Sequence, residues 1–345
     1  MTSARPATLL ADGPIATTQI VARLLQACYD EVRVVECDDL PVPLAPGPLV
    51  VSRLAMPPMS WLPDYFREHG RPYVYFLDDN FFELTSDIDP RNSPYYQHPA
   101  VRDALDVFLR GATLAWLMSG TLRAYLADRH PGLPTLLTHA PIDLATWDAA
   151  PVGAAPSSPD DGAGFCIGYP SSPRENMAPL VTEIVARCAA RWGRSVRFEF
   201  VGWWPAAVQD APNVRCFPLV ADYRDYAAFV KSRRWDCAIA PLADSLFENC
   251  KTDNKFRDYA AAGVAGIYSR TALYRSSVVD GETGLLVEND AAAWVEAIAS
   301  LRDAAGLRAA IANAAYDTVR ARNDQAIVAR AVVEGFARAG VEGLA

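Results

Sequence analysis

The chain has 345 residues, enough at roughly 150 residues per domain for about two domains, each able to bury a core without disulfide or metal staples. Hydrophobic residues make up 51% and charged residues 21%, an ordinary globular composition. The formal charge of −9 argues against generic nucleic-acid binding and against attraction to anionic membranes, a local basic patch aside.

Residues 1–18 show no basic segment followed by an apolar one, so no signal peptide is expected. No apolar run approaches the ~18–20 residues of a membrane span. The seven cysteines, at 28, 37, 166, 188, 216, 237 and 250, are scattered and contain no CxxC pair; they read as reduced, mostly buried thiols. The four histidines are far apart, which argues against a zinc site.

In chain order, the first half offers short apolar runs at residues 7–11, 32–36, 49–52, 73–77, 114–118 and 135–138. Amphipathic stretches at 18–29, 101–109 and 121–129 lie between several of them. Residues 148–164, DAAPVGAAPSSPDDGAG, have a linker composition. They propose an N-terminal domain over 1–147 and a C-terminal domain over 165–345, whose last helix is free to pack back on the first. The second half repeats the alternation. Strands are expected at 165–168, 197–201, 214–217, 237–240, 266–268 and 284–287, and helices at 177–192, 223–232 and 251–262. From residue 290 the tail reads as helical, with Asn289 or Asp290 as its cap. Short continuous apolar strands alternating with helices predict an α/β chain of two Rossmann-like parallel-sheet domains. Their ligands are expected at the carboxyl edges of the sheets, in a cleft between them.

The richest stretch is residues 240–269. A helix starting near Cys250, capped by Asn249, would carry Lys251, Lys255 and Asp258 on one face. With Thr252 and the amides of the helix N-terminus, the lysines form a candidate diphosphate cradle, and Asp258 a candidate acceptor for a ribose or sugar diol. A solvated, charged helix face is the alternative. In the first half, the strand at 73–77 ends in Asp78 and Asp79. These are candidates to orient an acceptor hydroxyl or to stabilise an oxocarbenium-like transition state, or else partners of Arg53. His139 also ends a strand and reads as structural more readily than catalytic. Trp203 and Trp204 are candidates for stacking on a sugar or base, or for ordinary packing. Asp87-Ile-Asp89 matches a short metal-binding signature, but a three-residue pattern in an acidic chain carries little, and no metal is expected.

Several segments together resemble the C-terminal half of retaining GT-B glycosyltransferases of family 4. They are Asp258-Tyr-Ala-Ala-Ala-Gly263, Gly266–Ser269 followed by Tyr274 and Val278–Val279, and Asp280-Gly-Glu-Thr-Gly-Leu-Leu-Val287. Earlier, Phe165-Cys-Ile-Gly-Tyr-Pro-Ser-Ser172 and Phe200-Val-Gly-Trp203 are similar to the family's first two strands of that half. The resemblance implies a GT-B fold and transfer of a sugar from a nucleotide-diphosphate donor to a hydroxyl of a glycan, lipid-linked or protein acceptor, with retention. It implies no cofactor beyond the nucleotide sugar as co-substrate. It puts Asp258 at the nucleotide ribose. The family's first acid falls on Cys250, a departure from the pattern, and Glu248 is the nearest substitute for the catalytic role. Ser171 and Arg174 join Lys251, Thr252 and Lys255 as diphosphate ligands. The base is implied beside Gly202, Trp203, Phe217 and Leu219, and a loop closing over the sugar at Gly13 and Pro14. Nucleotide sugars and reduced thiols imply a cytoplasmic protein. Peripheral contact at the inner membrane face is allowed by Arg67 and Arg71 beside Trp61, Tyr65 and Phe66. Two other readings fit the same residues: a non-catalytic binder of a nucleotide sugar or small ligand, and a nucleotide-sugar epimerase of the same fold.

Overall fold

The computed structural model describes residues 6–13, 15–37, 46–151 and 164–341. They divide into two units. The first comprises Met1–Pro141, Asn249–Thr252 and Arg322–Ala345; the second comprises Ile142–Glu248 and Asp253–Ala321.

The first unit is built on β1 (Pro6–Ala11), β2 (Glu31–Glu36), β3 (Leu49–Ser52), β4 (Val74–Leu77), β5 (Leu114–Leu117) and β6 (Thr135–Leu137). They form one parallel sheet in the order β2-β1-β3-β4-β5-β6. Its helices are α1 (Ala16–Gln26), α2 (Leu62–Glu68), α3 (Ser93–Tyr96), α4 (Pro99–Gly111) and α5 (Gly120–Arg129). Every residue of β3, β4 and β5 is buried, which is why these strands read as unbroken apolar runs rather than as alternation. One core joins Leu9, Val50, Val74 and Trp116 to Val21 and Leu25 of α1. The C-terminal helix, Gln325–Arg338, returns to that core through Val328, Val332 and Phe336. Phe336 packs edge-on against Trp116 with centroids 5.7 Å apart. A fully buried aliphatic or aromatic side chain of this kind contributes ~1.5–3 kcal/mol.

The second unit opens with α6 (Leu144–Ala149), a helix on the N-terminal side of the expected linker. Of that linker, residues 152–163 lie outside the described residues. The sheet follows: β7 (Phe165–Pro170), β8 (Val196–Val201), β9 (Val214–Phe217), β10 (Cys237–Ala240), β11 (Ala265–Ser269) and β12 (Leu285–Val287). Its order is β12-β11-β10-β7-β8-β9, again parallel. The helices are α7 (Ala178–Trp192), α8 (Tyr223–Arg233), α9 (Leu246–Asn249), α10 (Asn254–Ala262), α11 (Ala272–Ser277), α12 (Ala291–Asp303) and α13 (Ala305–Arg322). The returning C-terminal helix is α14. Two apolar clusters cover this sheet, one centred on Ile167, Phe198, Ile239 and Trp294, the other on Ala238, Tyr259 and Tyr268. Asp290 caps α12 through the amide of Ala293, while Asn289 is used elsewhere.

Each expected strand is present within two residues of its expected ends. One helix differs. The segment expected to begin a helix near Cys250 is not helical through residue 252; α10 starts at Asn254 after Asp253. Residues 249–252 pack into the first unit instead, where Cys250 is fully buried.

Candidate functional site

Parallel sheets place ligands at the carboxyl ends of the strands, where the strand order reverses. In the second unit that point lies between β7 and β10. The loop after β7 carries Arg174, and the loop after β10 leads to Glu248 on α9. The two side chains meet there: Arg174 Nη1 donates to Glu248 Oε1 at 2.8 Å. Glu248 is buried, 2% exposed, and Arg174 is 19% exposed. Burial works against the guanidinium charge, but Glu248 outweighs it and the Arg174 pKa is raised. The Glu248 amide donates to Ser245 Oγ at 3.2 Å. The start of this loop is fixed by Ser269 and Asn289. Ser269 Oγ accepts from the Leu242 amide at 2.8 Å and donates to Asn289 Oδ1 at 2.6 Å, and Asn289 Nδ2 donates to the Leu242 carbonyl at 2.8 Å.

On α10, Lys255 and Asp258 share one face, as expected, but Lys251 and Thr252 do not join them. Lys255 is half-buried and makes no hydrogen bond or close ion pair among the described residues. Burial lowers its pKa, Asp258 opposing and Arg174 assisting. Burial raises the pKa of Asp258, against Lys255 and Arg257. Asp258 Oδ2 accepts from Tyr226 Oη at 3.2 Å. Tyr226, on α8, has no sequence signature, and its place beside Asp258 comes only from the fold.

The expected base-binding residues do converge at the neighbouring strand ends. The Ser171 amide donates to the Val201 carbonyl at 2.9 Å, and the Gly202 amide to that of Phe217, also at 2.9 Å. Gly202 sits at φ +87°, and a Cβ there would lie 2.7 Å from the Ser171 carbonyl oxygen and 3.2 Å from Leu219. Only glycine fits this approach. Leu219 is 71% exposed, and Ser171 is buried with its hydroxyl donating to the Ser172 carbonyl at 2.7 Å. Trp203 departs from the stacking expectation. Its ring is 8% exposed, packs edge-on against Tyr169, and donates from Nε1 to Glu175 at 2.9 Å. Trp204 is partly buried against the same core. The Asp280–Gly284 segment is a structural turn: Asp280 accepts from the Leu286 amide at 2.9 Å and pairs with Arg270 at 2.7 Å.

In the first unit the order reverses between β1 and β3. Arg53, just past β3, spans that point. It donates from Nη1 to Thr17 Oγ1 at 2.7 Å, and its Nε lies 3.3 Å from Asp78 Oδ1. Thr17 donates in turn to Asp78 Oδ2 at 2.8 Å. Arg53 has φ +57°, a left-handed backbone that costs a non-glycine residue ~1–3 kcal/mol. Its guanidinium lies 4.6 Å from the centroid of Phe81, which stacks on Tyr96 at 4.0 Å. Asp79 lies 3.9 Å from Arg53 Nη2 and 3.4 Å from Lys251 Nζ. Burial, with Asp79 adding, raises the pKa of Asp78 against the pull of Arg53 and Thr17. Arg53, which the sequence marks only as a partner of these acids, is the centre of the cluster.

Lys251 therefore stands beside Asp79 in this unit and not on α10, with Thr252 following it. Cys250, where the resemblance places the first acid, is a buried thiol whose Sγ accepts from Asn80 Nδ2 at 3.5 Å. Burial pushes its pKa up to about 11. Gly13 is buried at φ +137°, and its carbonyl accepts from Thr18 Oγ1 at 2.8 Å. Pro14 lies outside the described residues. His139 is exposed. Asp89 of the DxD triplet caps its own turn, accepting from the Arg91 amide at 3.0 Å and from Asn92 Nδ2 at 2.7 Å. Among the described residues no three His, Cys, Asp or Glu side chains cluster as metal ligands. The buried acid Glu199 is structural: Arg233 and the Trp235 indole, at 2.6–2.9 Å, saturate it.

No family model matches the chain. A curated relative, 2-phospho-L-lactate guanylyltransferase of Halobacterium salinarum, is 30% identical over 142 residues. The match covers 38% of this chain and 62% of the relative, so the chain spans less than two thirds of that protein's length. Solved structures match nearly throughout. Anabaena HepE, in complex with UDP and glucose, superposes with a TM-score of 0.68 at 13% identity, over 96% of this chain and 99% of its own. Sucrose-phosphate synthase of Thermosynechococcus elongatus gives 0.69 at 13%, over 97% and 98%. A glycosyltransferase of Rickettsia africae gives 0.66 at 11%, over 98% and 99%. With two parallel six-stranded sheets flanked by helices, the chain has the GT-B glycosyltransferase fold.

Proposed function

We propose that the protein is a glycosyltransferase. It moves a sugar from a nucleotide-diphosphate donor to a hydroxyl of a glycan, lipid-linked or protein acceptor. The observation that carries this reading is Lys255, a half-buried lysine without a direct partner, on the same unit and sheet edge as Arg174. A half-buried cation that no carboxylate holds in a close ion pair is a site for an anion. The diphosphate would lie on Arg174 and Lys255, with Asp258 accepting from the ribose and Glu248 beside the sugar. The base would lie against the backbone of Gly202 and Phe217, with Leu219 as its apolar wall.

The chemistry follows from the charges. As the glycosidic bond breaks, negative charge grows on the leaving diphosphate, and two fixed cations in a partly buried site stabilise it. No metal is required for that role, so a chelator leaves turnover unchanged. Retention of configuration, proposed from the family resemblance, is read by the anomeric signal of the product. In the first unit, Asp79 between Arg53 and Lys251 is the proposed acceptor-side carboxylate. Among the described residues no helix is long and apolar enough to cross a membrane. We place the protein in the cytoplasm, with Trp61 and Tyr65, 48% and 41% exposed, available for peripheral contact.

Thermal shift against uridine and guanosine diphosphates and their sugars tests the reading. A ligand at 100 times its Kd stabilises by about 2.7 kcal/mol. A rise in Tm with one base, followed by transfer to a hydroxyl acceptor, is the expected result. No shift with any nucleotide overturns it. Donor turnover without an acceptor, yielding an isomerised sugar, would favour the epimerase.

A further inference from the structure

Arg174 does not wait for an anion alone. One of its nitrogens, Nη1, already holds Glu248 at 2.8 Å. That carboxylate is 2% exposed, and its second oxygen, Oε2, has no hydrogen-bond partner among the described residues. The Ser245 hydroxyl holds its backbone. A carboxylate so placed cannot swing into water when a ligand arrives. Any group that binds the remaining face of the Arg174 guanidinium feels its charge at close range, through a medium that screens poorly.

This matters because the two ligands of a transferase differ in charge. The diphosphate of a nucleotide sugar is a diester with one negative charge on each phosphate. The free nucleoside diphosphate ends in an unesterified phosphate, whose second ionisation near pH 6 adds another charge at neutrality. We infer that Glu248 is a specificity-determining residue: through its pair with Arg174 it favours the sugar-bearing diphosphate diester over the free nucleoside diphosphate. The inference rests on the donor reading above and adds a direction to it, since the species disfavoured is the product that must leave.

Calorimetry on the full chain at pH 7.5 tests this with four probes: UDP, GDP and the methyl ester of each on the terminal phosphate. The esters remove the extra charge without adding a sugar. The wild type is expected to bind the ester of its preferred base about tenfold more tightly than the free diphosphate. Glu248→Gln, which keeps the size and one acceptor oxygen, is expected to erase that preference by tightening the free diphosphate. Equal binding of ester and free form by the wild type overturns the inference, and that comparison does not depend on the variant folding. A preference that survives in a folded Glu248→Gln protein also overturns it. In both cases nucleotide binding itself leaves the donor reading standing. If no probe binds the wild type, both fall.

Discussion

Arg53 and Arg174 each bridge the point where a parallel sheet reverses its strand order, yet they are employed differently. Arg53 is saturated. Thr17, Asp78 and Asp79 surround its guanidinium, Phe81 lies under it, and the backbone accepts a left-handed conformation to keep it there. Arg174 commits one nitrogen to one acid, and Lys255 nearby commits nothing. The same geometric position thus serves as a knot in one unit and as a charge reserve in the other. A sheet's reversal point predicts where polar groups gather, but the balance of partners decides whether they bind each other or a ligand.

Removing each arginine sharpens this contrast most. Arg174→Ala leaves Glu248 buried and unpaired, and is expected to cost ~3–5 kcal/mol of stability and all measurable nucleotide binding. Arg53→Ala strands Asp78, but both partners are 17–18% exposed, so the expected loss is smaller, ~2–3 kcal/mol, and nucleotide affinity is unchanged. Urea unfolding together with calorimetry reads both quantities. Loss of nucleotide binding in a folded Arg53→Ala protein would reverse the assignment. Next in size, Lys255→Ala should weaken nucleoside diphosphate binding roughly 10–100-fold while stability moves by no more than ~0.5 kcal/mol. A large stability loss there would mean that the lysine has a structural partner after all.

The smallest effect concerns Asp258. Its pKa is raised, so the folded protein keeps a proton that the unfolded chain releases. Its favourable contribution is complete below the ordinary aspartate value and is lost as pH rises through the raised one. Asp258→Asn should flatten the Tm profile across that window and be more stable than the wild type at pH 7, by about 1 kcal/mol or less. A variant less stable at pH 7 would show that the charge is needed in the folded state.

The central strands β3, β4, β5, β7 and β10 were legible because each is a short run buried on both faces, and such runs survive without any knowledge of neighbours. Lys255 and Asp258 were legible as a helical pair. Lys251 was misplaced for an instructive reason. Its spacing to Lys255 suits a helix, but burial of Cys250 beside Asn80 is a contact across 170 residues of chain, and it overrides local propensity. The Arg174–Glu248 pair joins two loops through the adjacency of β7 and β10, a fact of topology and not of spacing. The positive φ of Arg53 and the approach of Tyr226 to Asp258 leave no trace in composition. Between stacking and ordinary packing the sequence does not choose for Trp203, because nothing local announces that Glu175 and Tyr169 enclose it.

The units are not consecutive halves of the chain, since residues 249–252 and 322–341 belong to the unit whose sheet begins at residue 6. The protein therefore has no single point of scission. A fragment ending at residue 151 would lack Val332 and Phe336 from its core, and one beginning at residue 164 would carry them with nothing to cover them. Any attempt to produce the second unit alone must cut twice and graft a bridge across residues 249–252. An insertion tolerated elsewhere on the surface would there be felt in the first unit.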